Sequence, residues 1–87
     1  MKNKIYVFIK REYEDIFEVK TFKTKKEALD YSYNDSINTI NHLTDDYLSC
    51  GHNISPTEMR DKMINNLKEQ YQKENLNYFD IWETELN

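Results

Sequence analysis

The sequence predicts a single α+β domain over residues 1–87, in which a three-stranded sheet packs on two helices. Three observations support this class. Two runs of β-branched and aromatic residues lie near the N-terminus, two helix-capping sequences follow, and an alternating apolar segment ends the chain. The resulting element order is ββααβ. A chain of this length can bury one modest hydrophobic core.

The first two strands are predicted from residues 5–9 (IYVFI) and 16–22 (IFEVKTF). Both are rich in β-branched and aromatic residues and have the length of ordinary strands. Residues 12–15 lie between them as a hairpin loop. Because this loop lacks the Asn-Gly or Gly signal of the tightest hairpins, we expect a longer loop built around a type I turn.

The first helix begins at a capping box formed by Thr24 and Glu27. An apolar stripe predicts that it continues toward Cys50, where Gly51 stands at the position of a left-handed cap. So long a helix exceeds what a small domain can cover, so we expect a bend near residues 44–46 or a projecting end. The stripe recurs every three or four residues: Leu29, Tyr33, Ile37, Ile40, Leu43 and Tyr47.

The second helix begins at another capping box, Ser55 with Glu58, and Pro56 occupies its first helical position. The polar residues 73–75 are expected to end it. Its apolar stripe is Met59, Met63, Leu67 and Tyr71.

The last strand is predicted over residues 78–86, which alternate around Phe79, Ile81 and Trp82. Strand one is apolar on both faces, which favours the middle of the sheet and the order 2-1-3. The same reasoning favours strand three parallel to strand one, with the helix pair as the crossover between them.

Charge is distributed unevenly along a chain of net charge -4. Residues 1–26 contain eight Lys and Arg against four Asp and Glu, whereas residues 27–87 contain four against twelve. A basic hairpin is therefore followed by an acidic helical part. Such asymmetry indicates a charged partner surface.

A polar stripe on helix one is the first candidate binding site. No Lys or Arg stands between Lys26 and Arg60, and a row of carboxylates and amides resembles the phosphates and base edges that nucleic-acid-binding proteins recognise. The stripe therefore predicts binding to a basic, nucleic-acid-binding protein; the alternative is an ordinary solvated helix face. Its members project from one side of the helix: Glu27, Asp30, Asn34, Asn38, Asn41 and Asp45.

Five residues that can ligate metals lie close together in the sequence: His42, Asp45, Asp46, Cys50 and His52. Zinc requires three or four ligands that converge tetrahedrally, and this spacing matches no zinc pattern. We therefore expect no metal here. A nucleophilic Cys50 is disfavoured as well, because no third group is available to orient His52.

The basic hairpin is a further candidate, since its Lys and Arg residues alternate with aromatic ones. Basic and aromatic residues together can hold single-stranded nucleic acid by phosphate contact and stacking. Four acids in and beside the turn and a pI of about 5.1 oppose this reading. Direct nucleic-acid binding is therefore the less favoured interpretation. The residues concerned are Lys4, Lys10, Arg11, Lys20, Lys23, Lys25 and Lys26, with Tyr6, Phe8, Tyr13 and Phe17.

Composition excludes several classes of function. The longest apolar run, residues 5–9, is far shorter than the ~20 residues of a membrane span. The single cysteine cannot form an internal disulfide, and a single glycine cannot build a glycine-rich phosphate loop. We therefore expect a cytoplasmic protein of a bacterial host cell, without a membrane partner, a cofactor or enzymatic activity.

Three segments resemble those of small phage and mobile-element proteins: residues 5–9 (IYVFI), 22–29 (FKTKKEAL) and 78–83 (YFDIWE). In that type a hairpin leads through a Phe-Ser/Thr-x-x-Glu-Ala-Leu entry into a helix, and a Trp- and Glu-rich strand ends the chain. The resemblance implies a phage-type accessory protein. That class includes acidic inhibitors of host defence such as anti-CRISPR proteins. No functional residue is carried over.

We therefore expect a non-enzymatic protein-binding accessory protein, an anti-CRISPR-like inhibitor that docks an acidic helical face on a basic, nucleic-acid-binding host protein. Two alternatives remain open. One is a small nucleic-acid-binding or regulatory protein that uses the basic hairpin. The other is a homodimeric structural domain that pairs through its edge strand or projecting helix.

Overall fold

The computed structural model describes residues 3–12, 15–49 and 53–86. Three strands form one sheet in the order β2-β1-β3, which confirms the predicted α+β class and strand order. The helices pack against one face of this sheet. The elements in chain order are β1 (Asn3–Glu12), β2 (Asp15–Phe22), α1 (Lys25–Asn41), α2 (Asp45–Ser49), α3 (Pro56–Gln72), a 3-10 turn (Asn77–Phe79) and β3 (Ile81–Leu86).

The N-terminal hairpin is longer than the sequence predicts. β1 and β2 pair antiparallel up to Glu12 opposite Asp15, so the predicted loop of residues 12–15 is wrong at both ends. Residues 13 and 14 lie outside the described part of the chain. The register shifts where Lys10 faces Glu18 and Arg11 faces Ile16, which makes a β-bulge at residue 17.

β3 runs antiparallel to β1, with Phe8 opposite Ile81 and Asn3 opposite Leu86, so the predicted parallel arrangement is wrong. α3 already returns beside α1, and a further turn brings the chain into the sheet at the level of Phe8. β3 therefore runs back toward the start of β1. A strand that is apolar on both faces is typical of a parallel sheet covered on both sides. In this sheet the helices cover only one face.

The C-terminal strand begins later than predicted, at Ile81 rather than at residue 78. Residues 77–79 form the 3-10 turn, and Asp80 follows in the left-handed conformation with a φ of 56°. The Ile81 amide donates to the carbonyl of Leu76 at 3.0 Å, which closes this turn. Phe79 is buried as the alternation predicts, but from the turn and not from a strand.

The long first helix is interrupted, as the prediction of a bend requires. α1 ends at Asn41, and α2 begins at Asp45 after a short break. Arg60 on α3 holds the break, because its guanidinium donates to the carbonyls of Ile40 (3.4 Å) and Leu43 (2.9 Å). The Ile40 carbonyl also accepts from the Leu43 amide at 3.2 Å, and Leu43 itself lies in the break, beyond the end of α1. The predicted cap at Gly51 lies outside the described residues.

The core lies between the covered face of the sheet and the helices, with contributions from β1, β3, α1, α3 and the 3-10 turn. Tyr47 was predicted to join it but is 66% exposed. The break after α1 restarts the helical phase, so Leu48, at 2% exposed, takes the buried position instead. The central cluster is Tyr6, Phe8, Ala28, Leu29, Ile40, Leu67, Phe79 and Ile81.

Candidate functional site

The sheet face opposite the helices carries an apolar surface, which we call the open face. Residues paired across antiparallel strands share a face, so the register assigns its members. Val7 pairs with Trp82, and Ile9 pairs with Val19. The apolar members of the open face are Ile5, Val7, Ile9, Ile16, Val19 and Trp82.

Exposure of large apolar side chains is concentrated on the open face. Five such side chains in the described part of the chain are exposed, and three belong to this face: Ile16 (58%), Val19 (53%) and Trp82 (45%). The central strand adds the half-buried Ile5, Val7 and Ile9. An antiparallel sheet with one uncovered face ordinarily carries polar residues there. A contiguous exposed apolar patch instead marks an interaction site.

The polar residues that share the open face in the described strands are neutral or basic. Thr21 and Thr84 pair with Val7 and Ile5, and Arg11 pairs with Ile16. Lys23, just after β2, lines a groove together with Ile5. The acids whose side chains are described in the strands follow the register of the opposite face: Asp15, Glu18, Glu83 and Glu85. Asp80 precedes β3.

Hydrogen bonds and ion pairs connect the strands and α1 around the covered face. The Tyr6 hydroxyl donates to Glu83 Oε1 at 3.1 Å, and burial together with this bond raises the pKa of Tyr6. The Tyr31 hydroxyl donates to Glu18 Oε1 at 2.5 Å. Tyr31 also packs edge-on against Phe8 with ring centroids 5.4 Å apart. These contacts bind β1, β2 and β3 to each other and to α1.

Ion pairs and a cation–π contact involve most of the lysines that the sequence assigns to the basic hairpin. Lys10 Nζ lies 3.1 Å from an oxygen of Asp35, and Lys20 Nζ lies 4.5 Å from the Tyr31 ring centroid. Three more lysines form ion pairs: Lys4 with Glu83 (3.6 Å), Lys25 with Glu74 (2.9 Å) and Lys26 with Asp30 (3.5 Å). Tyr6 and Phe8 are buried, and Tyr13 and the Phe17 side chain lie outside the described part. Of the aromatic rings predicted to accompany these lysines, the two that the structure describes are therefore buried.

The predicted polar stripe of helix one is divided by the fold. Glu27, Asn34, Asn38 and Asn41 lie exposed on α1, whereas Asp45 begins α2 beyond the break. Asp30 faces α3 and is half-buried. The continuous exposed row therefore contains one carboxylate and three amides, which makes it less acidic than the sequence predicts.

Asp30 has a structural role between α1 and α3. It accepts a hydrogen bond from the Tyr71 hydroxyl and pairs with Lys26. The bond from Tyr71, followed by the charge of Lys26, lowers the pKa of Asp30. Its counterpart is a raised pKa of Tyr71, caused first by the bond to Asp30 and then by burial. Asp30 thus joins the two helices.

The histidine and cysteine segment is only partly described, because Cys50 and His52 lie outside the described residues. The ring Nδ1 of His42 lies 2.7 Å from the carbonyl oxygen of Asn38, one turn earlier on α1. Among the residues that the structure describes, no three His, Cys, Asp or Glu side chains are grouped to hold a metal ion.

Sequence reasoning did not identify the open face, although the signal was present. Strand one is apolar at every position from Ile5 to Ile9, so both of its faces are apolar. That pattern predicts a central strand but does not indicate what covers its second face. Ile16 and Val19 carried no signal alone, because their face depends on the bulge between them.

Comparisons with protein-family models, with curated proteins and with solved structures found no match. None of the described helices combines the length and the apolarity needed to cross a membrane.

Proposed function

We propose that this chain is a non-enzymatic accessory protein that binds another protein through its open face. The observation that carries the proposal is the concentration of exposed apolar side chains there: Ile16, Val19 and Trp82 beside the apolar central strand. In the described strands, no acidic side chain shares this face. The surface is therefore suited to desolvation by a partner.

The energetic argument rests on apolar area. Fully burying a large apolar side chain is worth about 1.5–3 kcal/mol, so covering three half-exposed ones supplies several kcal/mol toward association. Trp82 adds a rigid aromatic surface beside Val7 of the central strand, and tryptophan is enriched among residues that dominate binding energy. The hydrogen-bonded contacts of the covered face hold the sheet in place before a partner binds.

Replacing Val19 with Lys tests the proposal. Immobilised wild-type protein should capture a partner from a bacterial lysate, and that partner, identified by mass spectrometry and purified, should bind directly. Val19→Lys should abolish binding because a charge then stands in the apolar face. Asn65→Lys adds the same charge at an exposed position of α3, outside both candidate surfaces, and should leave binding unchanged. Undiminished binding by a folded Val19→Lys variant, checked by circular dichroism, would reject the proposal.

A second candidate uses the polar face of α1. Glu27, Asn34, Asn38 and Asn41 form an exposed row that fits a basic host protein. The resemblance to phage accessory proteins gives this candidate its specific form, an anti-CRISPR-like inhibitor of a bacterial defence system. Under it, Glu27→Lys should weaken partner binding and Val19→Lys should not. Asp30 is unsuitable for this test because it bonds to Tyr71.

A further inference from the structure

We propose that the occupant of the open face is an amphipathic helix of another protein, with acidic residues flanking its apolar stripe. This inference rests on the proposed function and names the chemistry of the partner. It draws on the dimensions of the face and on the sign of the charges around it.

The dimensions of the open face match one helix. Three strands spaced ~4.8 Å apart make a face about 14 Å wide, and a helix with its side chains is about 10–12 Å in diameter. From Ile5 to Arg11 the central strand runs about 20 Å at ~3.3 Å per residue, which equals about 13 residues of helix. The covered face packs on helices in the same way, so the bound helix would complete a third layer.

The charges around the open face favour a partner helix with acidic residues beside its apolar stripe. Arg11 lies at the end where Ile16 is found, and Lys23 lies at the opposite end, near Ile5. Both are exposed, in a protein whose net charge is -4. The acids described in the strands follow the register of the opposite face. Carboxylates beside a partner's apolar stripe would therefore meet Arg11 and Lys23 at the rim, where charge governs specificity and association rate.

The same features argue against a second copy of this chain. A two-fold symmetric interface places the same patch on both sides, so Arg11 and Lys23 would face basic residues of the other copy. A face of roughly 14 by 20 Å is also small beside the ~800 Å² that each partner contributes to a standard interface. A helix needs less area and supplies the missing charge.

Trp82 provides a direct measurement, because it is the single tryptophan of the chain and lies on the open face. Two tryptophan-free peptides of about 14 residues carry the same helical leucine stripe, flanked by Glu in one and by Lys in the other. Titration with the Glu-flanked peptide should shift Trp82 emission to shorter wavelength and saturate. The Lys-flanked peptide should bind at least tenfold more weakly.

Charge-reversal variants test whether Arg11 and Lys23 cause the preference for the Glu-flanked peptide. Arg11→Glu with Lys23→Glu should invert the preference between the two peptides. Lys62→Glu, an exposed change on α3, should leave it unaltered. Equal affinity for both peptides, or no shift of Trp82 emission with either, would overturn the inference.

Two other occupants give distinct results that also overturn it. A blue shift that follows protein concentration alone, with a dimer mass in sedimentation, would identify a second copy. A shift with phosphatidylserine vesicles but with neither peptide would identify an anionic lipid surface. If Val19→Lys abolishes binding to the natural partner while the peptides show no preference, the inference fails and the proposed function stands. Partner binding that is insensitive to Val19→Lys rejects the proposed function itself.

Discussion

The two faces of the central strand have similar composition and different surroundings. Tyr6 and Phe8 point to the helices and are at most 8% exposed, whereas Ile5, Val7 and Ile9 point to the open face and are only half-buried. On the covered side, rim contacts such as Tyr6 with Glu83 and Lys10 with Asp35 surround the apolar core. The open side contributes no residue to these contacts.

Apolarity alone therefore does not reveal which face forms the core. On the covered face, apolar residues are accompanied by polar ones that reach across to α1. These polar contacts surround the apolar core. On the open face, apolar residues are accompanied by threonines and by Arg11, and Lys23 lies just beyond the end of β2. The first arrangement stabilises the monomer, and the second leaves apolar area exposed at the surface.

The largest expected effect comes from the covered face. Phe8→Ala should lower the free energy of unfolding by about 3–5 kcal/mol, because it removes a buried aromatic ring and leaves a cavity. Urea denaturation followed by circular dichroism measures this loss. Val7→Ala, one residue away on the open face, is the matched control and should have a clearly smaller effect. Equal losses would show that the two faces do not differ as described.

A smaller loss should follow Ser32→Ala. Ser32 is 2% exposed, and its hydroxyl donates to the Phe79 carbonyl at 2.9 Å, which ties α1 to the turn before β3. Removing this donor should lower the free energy of unfolding by about 1–3 kcal/mol. Ser36→Ala on the same helix controls for helix propensity. A loss no greater than that of the control would contradict the role of this bond.

A pH-dependent loss should follow Tyr71→Phe, with a magnitude below that of Ser32→Ala. The pKa of Asp30 is lowered in the fold, so ionised Asp30 stabilises it above pH ~4 and this contribution disappears as pH falls further. The pKa of Tyr71 is raised, so its contribution persists until pH rises above ~10. Urea midpoints should therefore differ between wild type and variant at pH 5–9 and converge below pH 4. A difference that stays undiminished in acid would show that the charge of Asp30 does not account for the effect.

The smallest effect on stability should come from the open face itself. Ile16→Thr and Val19→Thr alter exposed strand positions, and threonine is well suited to strands. Each should change the free energy of unfolding by no more than about 0.5 kcal/mol. Both should reduce binding of the apolar dye 8-anilinonaphthalene-1-sulfonate. A large loss of stability would show that these residues belong to the core, and unchanged dye binding would show that they do not form the exposed patch.

Local signals in the sequence predicted most of the elements. Thr24 and Ser55 accept hydrogen bonds from the Glu27 and Glu58 amides, as the capping boxes require, and α3 ends where the polar residues begin. These features depend on residues a few positions apart. The order β2-β1-β3 also followed from the sequence, because the most apolar strand lies in the middle.

Other predictions failed where distant residues decide the outcome. The direction of β3 depends on the turn through Asp80 and on the return of α3. The burial of Leu48 in place of Tyr47 depends on the break held by Arg60, seventeen residues from Leu43. The polar stripe proved less acidic because Asp30 turned toward Tyr71, which is 41 residues away.

The residue pattern alone predicts the α+β class, the helix starts, the central position of β1 and the apolar character of both its faces. Tertiary packing sets which face the helices cover, and therefore that Ile16, Val19 and Trp82 meet on an open surface. Strand alternation assigns residues to faces, whereas burial of a face depends on where α1 and α3 pack. That choice is made by side chains far apart in the chain, such as Lys10 with Asp35 and Ser32 with Phe79.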